Sequence, residues 1–294
     1  MSALLTGLPS GPTLVLDGGL GTMLMARGLS RGAAPEWWNL ERPELVSAVH
    51  RAYVEAGSDA VHTNSFGGSP VRLAPFALAD RCEELNGAAV RAARASGAGF
   101  VIADVGPTSE YLPPVGHGDP VVWRAGFERQ ARALAEAGVD AFHLETMSDL
   151  REARLAMDAI RAVDPATPVM DSLTLERKKR GFFTIMGNPL ADTLKALAEA
   201  GGANCSITSA DMVDLAQAAL AAVSVPVVVQ PNAGQPQMTA QGMRYAQDPS
   251  EFARDLAPLA GLGVASRGVA ALGGCCGTDP RFISALRARL ERPA

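Results

Sequence analysis

Apolar positions along this chain gather into short runs, and each run is followed by a loop and then an amphipathic stretch. Eight runs are read at 13–16, 60–63, 100–103, 141–144, 169–173, 203–206, 225–229 and 269–272. Most are rich in β-branched or small residues and alternate little with polar ones, which is how parallel strands covered on both faces read. Over 43–56, Leu45, Val49, Ala52, Tyr53 and Ala56 share one face at helical spacing, with Pro43 suited to the first turn and Gly57 to the end. Similar stretches predict helices over 79–96, 121–137, 150–162, 190–200, 212–222, 250–262 and 280–290. Eight strand–helix units in 294 residues predict a single (β/α)8 TIM barrel, one domain covering 1–294. A doubly wound sheet fits less well, because no Gly-x-Gly-x-x-Gly opens a helix and its usual unit count is smaller.

Such a barrel builds its site at the C-terminal strand ends. The residues expected there are Asp17-Gly18-Gly19, Thr63-Asn64, Asp104, Glu145-Thr146, Ser172, Asn204-Cys205, Asn232 and Cys275-Cys276. Cys205, Cys275 and Cys276 therefore share one rim. Three converging thiolates suit a soft metal, Zn²⁺ above all, and three ligands rather than four leave a position open for substrate. Gly273, Gly274 and Gly277 relax the backbone enough for two adjacent ligands. The remaining cysteine, Cys82, reads as a small buried hydrophobe on a helix.

Asp17 and Glu145 could be acid–base groups, binding groups or rim charges. With the amides of Gly18 and Gly19 offered to a carboxylate and Glu145 to an ammonium, they read as a clamp for an amino acid, with Asn64 and Ser172 beside it. Alternation points His62 and His143 into the barrel, as core histidines with a reserve role as ligands. Trp37 and Trp38 read either as the wall of an aromatic box for a methylated onium group or as a packing plug. The basic run 176–180 reads as a solvated loop, with a docking patch for an acidic protein as the lesser reading. Loops 106–120 and 231–247 are expected as lids or walls.

A net charge of -5 gives no basis for a nucleic-acid or anionic-membrane partner. No apolar run approaches a membrane span, and the first residues lack a basic region and a cleavage pattern. Four cysteines in a chain this long do not make a disulfide framework. The expectation is a cytoplasmic protein with free thiols.

Taken together, the motifs resemble the homocysteine S-methyltransferase family nearly end to end. They include Leu16-Asp17-Gly18-Gly19-Leu20-Gly21-Thr22, Thr63-Asn64-Ser65-Phe66-Gly67, Asp104-Val105-Gly106-Pro107-Thr108, Glu145-Thr146-Met147-Ser148-Asp149, Gly202-Ala203-Asn204-Cys205, Pro231-Asn232-Ala233-Gly234 and Gly273-Gly274-Cys275-Cys276-Gly277-Thr278. The resemblance implies a (β/α)8 barrel with zinc held by Cys205, Cys275 and Cys276, and homocysteine contacted by Asp17 and Glu145. It implies a small methyl donor such as betaine, a sulfonium or S-methylmethionine, or else a separate corrinoid protein that brings the methyl group. The barrel pattern fills the chain, so no folate or cobalamin module is expected in it. A non-catalytic zinc-storage barrel is the reading from another class, and it would need a fourth protein ligand. The chain departs from the family pattern at 206–211, where a Gly-Pro turn is usual, and at the basic run after the fifth strand.

Overall fold

A computed structural model describes residues 13–197, 200–239, 242–260 and 269–291. Its strands are β1 (Leu14–Val15), β2 (Ala60–His62), β3 (Phe100–Val105), β4 (Ala141–Met147), β5 (Val169–Leu173), β6 (Glu176–Lys178), β7 (Gly181–Phe183), β8 (Ala200–Asn204), β9 (Val227–Gln230), β10 (Gln237–Thr239), β11 (Gly242–Arg244) and β12 (Val269–Leu272). Eight form one sheet in the order β1-β12-β9-β8-β5-β4-β3-β2, and every ladder in it is parallel. β1 and β2 stand at the two ends of that order. Two aspartates help to close the seam between them: the Asp59 carboxylate accepts from Val15 N–H at 2.8 Å, and the Asp17 carboxylate accepts from His62 N–H at 2.9 Å. The result is a (β/α)8 barrel.

Helices follow the barrel strands at Pro43–Glu55, Cys82–Arg94, Pro120–Glu136, Leu150–Val163, Leu190–Leu197, Ser209–Ala222, Pro249–Ala260 and Pro280–Leu290. Side chains of Asp119, Asp149, Thr208 and Asp279 cap four of them by accepting a first-turn N–H. No helix among the described residues is long and apolar enough to cross a membrane.

The barrel interior is layered. Leu16, Ala60, Ile102, Ala141, Met170, Ala200, Val228 and Ala271 form one apolar cluster, with each barrel strand contributing a residue in it or just beyond its end. Side chains alternate along a strand, so the next inward layer lies two residues on. That layer carries His62, Asp104, His143, Ser172 and Gln230, so the apolar floor gives way at once to polar chemistry.

Three elements differ from expectation. The sixth barrel strand runs over Ala200–Asn204 rather than 203–206, and the helix before it is described to Leu197. The two glycines there belong to the strand, not to a helix end. A Cβ on Gly202 would stand 1.6 Å from the Val228 carbonyl oxygen, so only glycine lets β8 and β9 approach this closely. The basic run after β5 is not a free loop but the β6–β7 hairpin, with Arg177 paired to Asp211 and Asp214 and stacked on Phe182. The 231–247 loop likewise carries the β10–β11 hairpin. The expected helix ends at 198–199 and 261–262, the reading of the first twelve residues and the outer limits of the 1–294 domain lie outside the described residues.

Candidate active site

Cys205 follows β8 directly, with a φ of 60°, and its N–H donates to the Gln230 carbonyl at 3.0 Å. The left-handed turn continues through Ser206. Cys275 and Cys276 follow β12. Cys275 N–H donates to the Pro231 carbonyl at 2.9 Å, and the Cys276 carbonyl accepts from Ala233 N–H at 3.0 Å. These bonds tie both thiol turns to the end of β9 and the residues just after it. The sulfurs of Cys205, Cys275 and Cys276 all lie within 4.8 Å of one another. Ligands of a tetrahedral zinc, each about 2.3 Å from the ion, stand about 3.8 Å apart. The donor set, its softness and its spacing therefore fit a metal.

The thiols already behave as one unit. Hydrogen bonds from Cys275 and Cys276 hold the Cys205 thiol down to about 3, while the thiols of Cys276, at about 11, and Cys275 are pushed up. The three sulfurs share hydrogen bonds, and a cation bound among them would replace the shared protons. Two neighbours support them: the side chain of Asn232, expected on this rim, donates to Cys205, and the hydroxyl of Tyr245, not anticipated from the sequence, donates to Cys276.

The thiols open onto a cavity of about 470 Å³. Glu145, His62, Asn64, Asp104, Gln230, Gly18 and Gly19 also line it, as do Met25, Phe66 and Phe76. Asn204 spans the floor: its Nδ2 is 3.4 Å from Glu145 Oε1, 3.8 Å from Cys275 Sγ and 2.8 Å from Thr146 Oγ1, and its Oδ1 accepts from Thr146 N–H at 2.8 Å.

A second group of donors, His62, His143 and Glu145, also falls within 4.8 Å. It is committed internally. Asp17 Oδ1 meets His62 Nδ1 at 2.6 Å, His62 Nε2 meets His143 Nδ1 at 2.9 Å, and His143 Nε2 meets Ser172 Oγ at 2.7 Å. Every ring nitrogen therefore has a partner already. Burial alone would lower the His62 imidazole, but the Asp17 and Glu145 carboxylates lift it to about 9. Burial, and then His62 itself, press His143 well below its ordinary value. The consistent assignment is a His62 imidazolium that donates to Asp17 and to a neutral His143, which donates in turn to Ser172. Burial raises Glu145, and burial followed by the nearby Glu145 raises Asp104 further.

The structure redistributes the expected clamp. Glu145 and Asn64 line the cavity with the cysteines, but Asn64 spends its amide on the Pro35 carbonyl and Asn39. Asp17, 1% exposed, does not reach the cavity because its carboxylate is held by His62. Ser172 is fully buried beneath His143. Gly19 N–H is not free for a carboxylate, since it donates to the Thr278 carbonyl at 2.9 Å. The two glycines serve close packing instead: a Cβ on Gly18 would meet Thr278 at 2.7 Å, and one on Gly19 would meet the Cys275 carbonyl at 2.7 Å. Trp37 and Trp38 stand outside this cavity and line a separate surface pocket. Their rings carry Arg81 at 4.9 Å and Arg42 at 5.7 Å, and both indoles pack against the core.

Comparison with known proteins agrees with this geometry. The chain matches the family model for homocysteine S-methyltransferases over residues 14–290, and it belongs to that family. It is 33% identical to a methionine synthase of Mycobacterium tuberculosis and 31% identical to one of Mycobacterium leprae, over 95% of its own length in each case. It spans about a quarter of the length of those relatives. Among solved structures it resembles the Escherichia coli homocysteine methyltransferase MmuM in its metallated form, with a TM-score of 0.78, 26% identity, and coverage of 97% of this chain and 99% of that one.

Proposed function

We propose that this protein transfers a methyl group from an activated donor to the thiol of homocysteine, with zinc held by Cys205, Cys275 and Cys276. The observation that carries this reading is the convergence of three thiols on a cavity that Glu145 also lines. A zinc ion there would favour the substrate thiolate at neutral pH as a Lewis acid. The chain's residues supply the rest. Asn204 spans the interval between Glu145 and the thiol cluster, the length over which an amino-acid thiol would lie. Burial raises the Glu145 carboxyl and the His62 imidazolium beside it partly offsets that, so an arriving ammonium can be received by its ionised form. Sulfur then attacks the methyl carbon in line. The S–C bond forms as the carbon–heteroatom bond of the donor breaks, and the electron pair leaves with the heteroatom. Holding the groups collinear is worth on the order of 7–11 kcal/mol.

A small onium donor suits this cavity, because its own charge activates the methyl group and Met25, Phe66 and Phe76 offer soft apolar wall. A second reading, in which a separate corrinoid protein delivers the methyl group, is favoured by the rim. Among the described residues, Met25, Phe76, Val115, Ile185, Met238 and Met243 are exposed large apolar side chains that lie between a barrel strand and the helix after it, on the face that holds the cavity.

The test is metal analysis followed by assay of homocysteine with betaine, dimethylsulfoniopropionate, S-methylmethionine and a methyl-corrinoid protein. Methionine is expected with one of the small donors, and Cys205→Ser loses the zinc and more than about a hundredfold in rate. Turnover with the corrinoid protein alone replaces the onium reading. Zinc without methionine from any donor, and a zinc edge unmoved by homocysteine, favours storage.

A further inference from the structure

Asp104, at the end of β3, is 7% exposed and lines the thiol cavity beside Glu145 and His62. Its backbone is fixed by Thr63 and Ser65: the Asp104 N–H donates to Thr63 Oγ1 at 3.1 Å, and its carbonyl accepts from Ser65 Oγ at 2.7 Å. Its side chain is only half engaged. Its carboxyl shares a hydrogen bond with Glu145, and among the described residues no N–H or hydroxyl donates to the buried Oδ1. A buried carboxyl oxygen left without a donor is costly, and such groups are rare in folded proteins. The residue lines the cavity wall together with Glu145, so a ligand there lies beside the carboxyl pair.

We infer that Asp104 is a recognition residue for the substrate, forming with Glu145 a carboxyl pair that receives the α-ammonium of the amino-acid thiol. The inference rests on the homocysteine reading above and extends its recognition to a residue outside the expected clamp. A primary ammonium offers three N–H donors, enough for both carboxyls. A methylated onium offers none and is better met by aromatic faces, so the carboxyl pair selects the amino-acid end rather than the methyl donor. The reach is right as well, because a single atom, Asn204 Nδ2, lies 3.4 Å from Glu145 Oε1 and 3.8 Å from Cys275 Sγ, so the two groups stand within one small amino acid of each other. Charge agrees. Asp17 is neutralised by His62, and burial raises both Asp104 and Glu145, so the pair shares a hydrogen bond that an ammonium can take over as donor.

The experiment is calorimetric titration of the zinc-loaded protein with L-homocysteine and with mercaptobutyrate, the same thiol without its amino group. Asp104→Asn keeps a donor toward Glu145 but removes the carboxylate. It should weaken homocysteine binding by about ten- to a hundredfold and leave mercaptobutyrate binding unchanged. Asp104→Ser reads the same difference if the asparagine variant does not fold. Equal loss for both thiols, or loss for neither, overturns the inference and leaves the function standing. Wild-type protein that binds neither thiol overturns the homocysteine reading and this inference with it.

Discussion

His62 Nε2 and His143 Nδ1 meet at 2.9 Å inside the barrel, although 81 residues separate them in the chain. The contact arises because both residues sit two positions beyond an apolar inward residue on β2 and β4, with β3 between them. It also fixes opposite protonation states. His62 keeps its proton to about 9 beside Asp17, whereas burial and the His62 charge keep His143 neutral.

A pH dependence follows from the His62 imidazole. Its ordinary value is 6.5 and its folded value about 9, so its contribution to stability is whole below pH 6.5 and is lost as pH rises through 9. The difference corresponds to about 3 kcal/mol. Urea unfolding of wild type and His62→Gln at the two ends of that window measures it. The wild type should lose about that much more than the variant on going to the alkaline end. Equal losses in both proteins would remove the imidazolium assignment.

Much of this site is legible in the chain. Parallel strands buried on both faces have no polar face to break their apolar runs, so seven of the eight expected barrel strands overlap their observed positions closely. The sixth, Ala200–Asn204, begins three residues before the expected 203–206, since the close approach to Val228 excludes a bulky residue at Gly202 and the Gly201-Gly202 pair carries no apolar signal. The thiol cluster is legible because adjacent cysteines between glycines are unusual in a helix or strand. The His62–His143 contact is half legible: alternation turns both inward, but cross-strand register decides which atoms meet. Tyr245 reaches Cys276 from beyond the β10–β11 hairpin, and no local pattern foretells that path. The side of the 33–42 segment that faces the cavity is equally a matter of chain path, and it decides the fate of Trp37.

Because Trp37 lines a pocket apart from the thiol cavity and packs on the core beneath Arg81, its removal should be a stability event. Trp37→Leu is expected to cost about 1–3 kcal/mol in thermal or urea unfolding. The KM for homocysteine and for the methyl donor should stay within about twofold, since neither contact is lost. A tenfold rise in donor KM at unchanged stability would restore the indole to the donor wall.

Asp171 makes a sharper demand on pH. It lies on β5 between the inward-facing Met170 and Ser172, so it points toward the helical layer. Neither carboxyl oxygen has a partner, and burial pushes its pKa to about 8 from 3.8. Below that window both folded and unfolded chains carry the proton. Within it the unfolded chain has ionised and the folded chain has not, so stability falls as pH rises and the loss is complete above 8. Asp171→Asn cannot ionise and is exempt from this loss. Measured by urea unfolding, the stability of the variant relative to wild type should improve by several kcal/mol between about pH 4 and pH 8.5. Other titrating groups are common to both proteins and cancel in that difference. A relative stability that stays level across the window would show that the Asp171 carboxyl ionises as readily in the folded chain as in water.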